Sequence, residues 1–265
     1  MTGGRSGGMF AVLRLLPLRP AGHQTPIRER GHFSRGLSWR ARWVGEWFQV
    51  VVWTVQDLAV WEELERSGRY VADERYLCMP ESEDGPCSHS HYAYLWMVEQ
   101  MKRYIGPAPK GVKYPIWAWY KCYGSATGKP DMRGYMRQFD TPQVRLELNV
   151  PDWDVLISDF DDWHFALNYC YLPEDEGDAD SFDAWCASHG LEFLKLQDWR
   201  IGGCDYQEAR HRIERSWTRL LGVDRNAGFG GDWSRRTLQA TFWELKRDQV
   251  LSYELFMPRA DATDR

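Results

Sequence analysis

The stretch Phe48-Gln-Val-Val-Val-Trp-Thr-Val-Gln-Asp-Leu-Ala-Val-Trp-Glu-Glu-Leu-Glu-Arg-Ser-Gly68 changes its period halfway, and that change decides the fold. Phe48–Gln56 is rich in valine and aromatic residues, which is the composition of a buried strand. Asp57 is a good helix N-cap. Leu58, Trp61, Leu64 and Glu65 then follow helical spacing, and Gly68 ends the helix. The chain opens as strand, tight turn and helix.

Working outward, residues 78–90 form a polar loop, and a helix is predicted from about His91 to Tyr104. Tyr94, Met97, Val98, Met101 and Ile105 make its apolar stripe. Gly106-Pro-Ala-Pro stops it, and the aromatic run Lys113-Tyr-Pro-Ile-Trp-Ala-Trp-Tyr-Lys121 follows. A Gly/Lys/Pro loop at 124–134 separates this run from a strand at Gln143–Val150. Helices are predicted at Asp161 to about Cys170, at Asp180–Ser188 and at Tyr206–Leu220, and Gly228-Phe-Gly-Gly231 reads as a turn. Strand signals at Thr237–Leu245 and Gln249–Phe256 finish the chain. The pattern is α+β, a single compact domain over about 50–258. It predicts a central, mainly antiparallel sheet among helices, either continuous or split into two small sheets around a cleft.

Two blocks look alike, Leu148-Asn-Val-Pro-Asp-Trp-Asp-Val-Leu156 and Trp243-Glu-Leu-Lys-Arg-Asp-Gln-Val-Leu251. Each ends a strand, turns through mostly polar residues and restarts a strand at Val-Leu. They read either as two equivalent corners of one sheet or as a chance likeness of two turns.

The chain has 265 residues and a net charge of −5. That length can bury a large core without a metal or disulfide. Residues 1–49 hold eight arginines against Glu29 and Glu46, so the rest of the chain is strongly acidic. An acidic body argues against broad nucleic-acid binding, though not against a small basic pocket. Residues 1–49 read as a disordered basic arm or a misplaced start, with a transit peptide as a third reading. Residues 259–265 read as a flexible tail. No stretch reaches transmembrane length, and the six cysteines include no Cys-x-x-Cys pair. These features point to a cytoplasmic protein with reduced thiols.

Several motifs resemble, in order, the bacterial domain-of-unknown-function family 3841. They are Trp53-Thr-Val-Gln56, Trp61-Glu-Glu-Leu-Glu-Arg-Ser-Gly68, Trp96-Met-Val-Glu-Gln-Met-Lys102 and Gly111-Val-Lys-Tyr-Pro-Ile-Trp-Ala-Trp-Tyr120. Lys129-Pro-Asp-Met-Arg133, Val155-Leu-Ile-Ser-Asp-Phe-Asp-Asp-Trp-His164 and Gln239-Ala-Thr-Phe-Trp-Glu-Leu245 continue the match. The resemblance covers about residues 50–256 and implies no activity. A second resemblance is to ADP-ribosyltransferase-like domains. It rests on the early Trp-Thr-x-Gln strand with its helix and Gly, the aromatic middle strand and the late strand with Gln and Glu. It implies NAD held in a cleft between two sheets. Thr54 stands where those domains usually carry His or Arg.

The candidate site residues follow from strand alternation. Trp117 and Trp119 share one strand face and could stack on a flat ligand, or serve as core. Tyr114 could offer its hydroxyl to a polar ligand group. Thr54 and Gln56 share a face of the first strand, where they would bond an amide or ribose or simply meet solvent. Gln239, Thr241 and Trp243 share one face of the late strand, and Ala240, Phe242 and Glu244 the other. Glu244 among apolar neighbours would have a raised pKa and could act as a base or stabilise a cation. In an NAD-dependent transfer, Glu244 or Gln239 would orient the acceptor. Asp159, Asp161, Asp162 and His164 are dense in ligand groups, yet acids there also suit a helix start, and His164 could bond across the cleft. Cys78, Cys87, His89 and His91 have no standard zinc spacing, so no metal site is expected. The sequence thus leaves three functions open: an NAD-binding or ADP-ribosyl-transferring enzyme, a non-catalytic module for a nucleotide-like molecule or a protein, and a structural protein with its tryptophans in the core.

Overall fold

The computed structural model describes residues 49–72, 89–136, 139–198, 200–223 and 236–258. Residues 1–48, Cys78, Cys87, the Gly228–Gly231 turn and the tail after 258 lie outside the described residues.

The opening unit forms as its period dictates. Strand β1 (Gln49–Asp57) runs into helix α1 (Leu58–Ser67). The Asp57 carboxylate accepts from the Ala59 N–H at 2.9 Å and caps the helix. Gly68 ends it at φ 77°, a left-handed conformation that favours glycine. The chain continues through β2 (Arg69–Tyr70), α2 (His89–Tyr104), β3 (Ile116–Lys121), α3 (Met132–Tyr135), β4 (Gln143–Pro151) and β5 (Leu156–Asp159). Helices α4 (Phe160–Leu167), α5 (Glu176–Ser188), α6 (Phe193–Leu196) and α7 (Cys204–Ser216) follow, and α7 passes into a 3-10 turn at Trp217–Leu221. Strands β6 (Leu238–Phe242), β7 (Leu245–Lys246) and β8 (Val250–Phe256) complete the fold.

The main sheet has six strands in the order β5-β6-β3-β1-β4-β8, and every pairing is antiparallel. Strands β2 and β7 form a separate two-stranded sheet. The α+β architecture and the central antiparallel sheet are as expected, and of the two arrangements left open the main sheet is continuous, with one very small sheet beside it.

Alternation along the strands sorts the residues into two cores. On one face Val52, Ile116, Ala118, Leu146, Leu148, Ala240 and Phe242 pack with Trp61 and Leu64 of α1. On the other, Trp117 and Leu156 pack with Ala93, Met97 and Met101 of α2 and with Trp163 and Ala166 of α4. Helix residues Ala209 and Ile213 and the turn residues Trp217 and Leu220 extend this second core.

Three expectations need correction. The strand predicted at Thr237–Leu245 breaks after Phe242, so Glu244 lies between β6 and β7, outside the main sheet. The helix predicted from Asp180 starts at Glu176, because the Asp175 carboxylate caps it by accepting from Asp178 N–H at 2.9 Å. The two look-alike blocks do share a one-turn 3-10 helix, at Asp152–Asp154 and Arg247–Gln249. They are not equivalent corners, since the first joins two strands of the main sheet and the second joins the small sheet to the large one.

Candidate functional site

Strand β3 brings Trp117 and Trp119 to the helix-covered face, and their fates then differ. Trp117 is buried edge-on to Tyr94 at 5.7 Å and beside Trp163 at 5.0 Å, and it is core. Trp119 is half-buried, with its ring 4.9 Å from Phe160 at the start of α4. Phe160 in turn is edge-on to His164 at 4.8 Å, and His164 Nδ1 lies 2.9 Å from the Phe160 carbonyl. Tyr114 is buried just before β3.

The pairing register places four residues in one row across four strands. Trp53 on β1 stands opposite Trp119 on β3, Trp119 opposite Gln239 on β6, and Gln239 opposite Ser158 on β5. Directly paired residues project to the same face, so all four belong to the α2/α4 side. Gln239 and Ser158 are buried at 3% and 0% exposure. Trp53 Nε1, Gln239 Nε2 and Ser158 Oγ have no hydrogen-bond partner, nor do the neighbouring Trp117 Nε1 and Trp163 Nε1. The adjacent row differs, because there Thr241 Oγ1 donates to the Leu156 carbonyl at 3.3 Å. Buried polar atoms are nearly always paired, so these unpaired atoms set the row apart from its neighbour.

One rung along from Ser158, β5 ends on a charged residue, Asp159, level with Leu238. Arg236 Nη1 pairs with Asp159 at 3.3 Å, both side chains nearly inaccessible, while Arg236 Nε and Nη2 are unpaired. Asp159 also accepts the Asp161 and Asp162 N–H groups at 2.9 and 3.0 Å and so caps α4. Desolvation by the surrounding protein, and then the Asp159 charge, push the Asp161 carboxyl above its ordinary range against the pull of His164 and Arg236. The loop after β3 packs over the Trp53 end of the row. Gly128, at φ +81°, holds it there, since a Cβ would come 3.3 Å from the Trp53 ring and 3.2 Å from the Tyr120 carbonyl.

The structure does not bring the remaining expected residues to this row. Thr54 stands level with Ala118, on the α1 face, so the sheet separates its side chain from the tryptophans. Its hydroxyl donates to the Trp117 carbonyl at 2.8 Å and accepts from Gln56 Nε2 at 2.7 Å. Both residues are buried and neither meets solvent. Glu244 is not among apolar neighbours. It bonds Arg69 at 2.5 Å and Lys246 at 2.9 Å beside the small sheet. Partial burial raises its pKa, but the bonds and charges of Lys246 and Arg69 outweigh burial and hold the carboxyl below the ordinary range.

Sequence reading missed Ser158 and Arg236. The alternation of Leu156 with Ser158 put a small polar residue on the inner face, which was the available signal. It also missed a cavity of about 490 Å³ between α5 and α7, lined by Tyr171, Asp178, Phe182, His211, Arg215 and Arg219, among others. Arg219 there is bound by Asp178 at 2.8 Å, and Tyr171 stacks on Phe182 at 4.1 Å. No cluster of metal-ligating side chains occurs among the described residues.

A family model described as a domain of unknown function, DUF3841, matches residues 51–251. The chain belongs to the DUF3841 family. The match takes in the whole row and every strand except the first two residues of β1 and the last five of β8. No curated protein and no solved structure matches this DUF3841 chain. No helix among the described residues is long and apolar enough to cross a membrane.

Proposed function

We propose that this DUF3841 chain is a binding module for a small, acceptor-rich molecule of nucleotide type, held at the Trp53–Trp119–Gln239–Ser158 row. The single observation that carries the reading is the set of buried donors without acceptors along that row. Phosphate, carboxylate or ribose oxygens would accept from Ser158 Oγ and Gln239 Nε2. The free nitrogens of Arg236 would offset negative charge. Trp119, with Phe160 and His164 behind it, supplies ring surface for a flat group. NAD is one member of this ligand class. Glycosidic transfer by Glu244 finds no support in the geometry, because Arg69 and Lys246 occupy both its oxygens away from the row. A catalytic version of the reading turns instead on Asp161, whose raised pKa lies beside Arg236 and His164.

Calorimetry with NAD, ADP-ribose, AMP and inorganic phosphate tests the proposal. Saturable heat is expected from one of these, about tenfold weaker in Gln239→Leu and Trp119→Ala, which corresponds to roughly 1.4 kcal/mol. Glu244→Gln should bind as wild type. Silence from all four ligands contradicts the reading. Binding lost in Arg215→Ala but intact in Gln239→Leu moves the site to the α5–α7 cavity. Ligand turnover abolished by Asp161→Asn selects the catalytic version.

A further inference from the structure

Helix α7 and the 3-10 turn that continues it carry Arg212, Arg215 and Arg219, three and four residues apart and so along one face. That face lines the cavity of about 490 Å³ whose other wall is α5, with Tyr171 before it. The two outer arginines are each taken up. Arg219 pairs with Asp178 at 2.8 Å and lies over the Tyr171 ring at 5.5 Å. Arg212 pairs with Glu208 at 2.7 Å and lies over the Trp185 ring at 4.1 Å. Arg215, between them, has neither kind of partner. Its carbonyl accepts from Thr218 Oγ1 at 2.9 Å, but its guanidinium makes no hydrogen bond, ion pair or ring contact among the described residues. The reason lies in α5. Asp178 and Trp185 meet the outer arginines, and the α5 residues between them that line the cavity are Ser181 and Phe182. Neither is an acid, and Phe182 already stacks on Tyr171 at 4.1 Å.

We propose that this cavity binds a small organic oxyanion, a carboxylate or a phosphate on an apolar body, with the Arg215 guanidinium as its anchor. A guanidinium presents paired N–H donors in a plane, which match the oxygens of either group. His211, one turn before Arg215 on the same face, also lines the cavity and supplies a second donor. The volume is that of a small-molecule site and exceeds what a lone oxyanion fills. Tyr171 and Phe182 offer ring edges to the rest of the molecule.

Charge favours an anion at this point of the wall. Asp178 and Glu208 line the cavity too, but each is held by its own arginine, so the surplus at Arg215 is positive. The cavity shares no residue with the Trp53–Trp119–Gln239–Ser158 row, so this second site does not rest on the reading of the first.

Calorimetry on the full chain with phenyl phosphate and with benzoate, in a buffer free of other oxyanions, tests the inference. Saturable heat is expected from at least one of the two, and the stronger binder tells phosphate from carboxylate. Arg215→Met should weaken that binding at least about tenfold, since a charge-assisted pair is lost. Arg215→Lys should recover only part of it, because the charge returns without the fork. The Arg215-dependent heat should persist in Gln239→Leu, which separates this site from the row. Arg215 is exposed, so its variants should melt as wild type does. If Arg215→Met does not fold, phenylglyoxal labelling of wild type replaces it, with Arg215 expected to be shielded by the bound probe. Silence from both probes, binding indifferent to Arg215→Met, labelling of Arg215 unchanged by the probe, or binding lost in Gln239→Leu but kept in Arg215→Met would overturn the proposal.

Discussion

Thr54 and Trp117 are bonded to each other yet stand back to back through the sheet. The Thr54 hydroxyl donates to the Trp117 carbonyl at 2.8 Å, while the two side chains belong to the cores on opposite faces. The bond is a strut inside the sheet rather than one wall of a cleft. Thr54→Val should therefore cost about 1–3 kcal/mol, since it leaves the carbonyl and Gln56 Nε2 without partners. Urea unfolding measures it.

Gln239→Leu should behave in the opposite way. Its amide nitrogen is buried and unpaired, so an apolar side chain of similar size removes a cost and no bond. Unliganded stability should stay level or rise by about 1 kcal/mol. A loss as large as that of Thr54→Val would mean that Gln239 is satisfied in the free protein.

The two tryptophans of β3 should separate under mutation. Trp117 is enclosed by Tyr94 and Trp163, and Trp117→Ala should cost about 3–5 kcal/mol. Trp119 is half-buried at the row, so Trp119→Ala should cost clearly less and weaken ligand binding more. Equal destabilisation in parallel melts would place both rings in the core.

Glu244 gives the acid limb of stability a definite sign. Its folded pKa lies below the ordinary 4.5, so its contribution is present above that value and lost as pH falls through the folded one. Glu244→Gln should cost about 1 kcal/mol or less at neutral pH. It should also flatten the fall of stability on acidification below the ordinary carboxylate value, where the wild-type carboxylate takes up its proton. Denaturation across that range, wild type against variant, reads the difference.

Among the described cysteines, burial pushes the Cys122 thiol up to about 12, whereas Cys204 is exposed. Because the thiolate is the nucleophile, iodoacetamide at neutral pH should label Cys204 at least about tenfold faster than Cys122. Peptide mapping after a short pulse gives the ratio.

The sequence carried the local rules well and the long-range ones poorly. Asp57 and Gly68 bound α1 where their capping chemistry put them, and alternation paired Trp117 with Trp119 and Gln239 with Thr241 on their own strands, but only the register puts both pairs on one face of the sheet. Whether β1 offered Thr54 or Trp53 to that same face depended on how β1 registers with β3, which no local signal encodes. Trp53 proved to be the member of the row, and Thr54 its counterpart behind the sheet. Glu244 was misplaced because period two was carried through Trp243, where the chain leaves the large sheet for the small one. Arg236 was missed because its partner, Asp159, is 77 positions away in the chain.

The most direct test of the row as a binding site is a crystal structure of the protein soaked with ADP-ribose or with the ligand that calorimetry selects. The account predicts an oxygen of that molecule within hydrogen-bond distance of both Gln239 Nε2 and Ser158 Oγ, with a ring against Trp119. Density for ordered water alone at those two atoms, with the ligand absent or bound elsewhere, would contradict it.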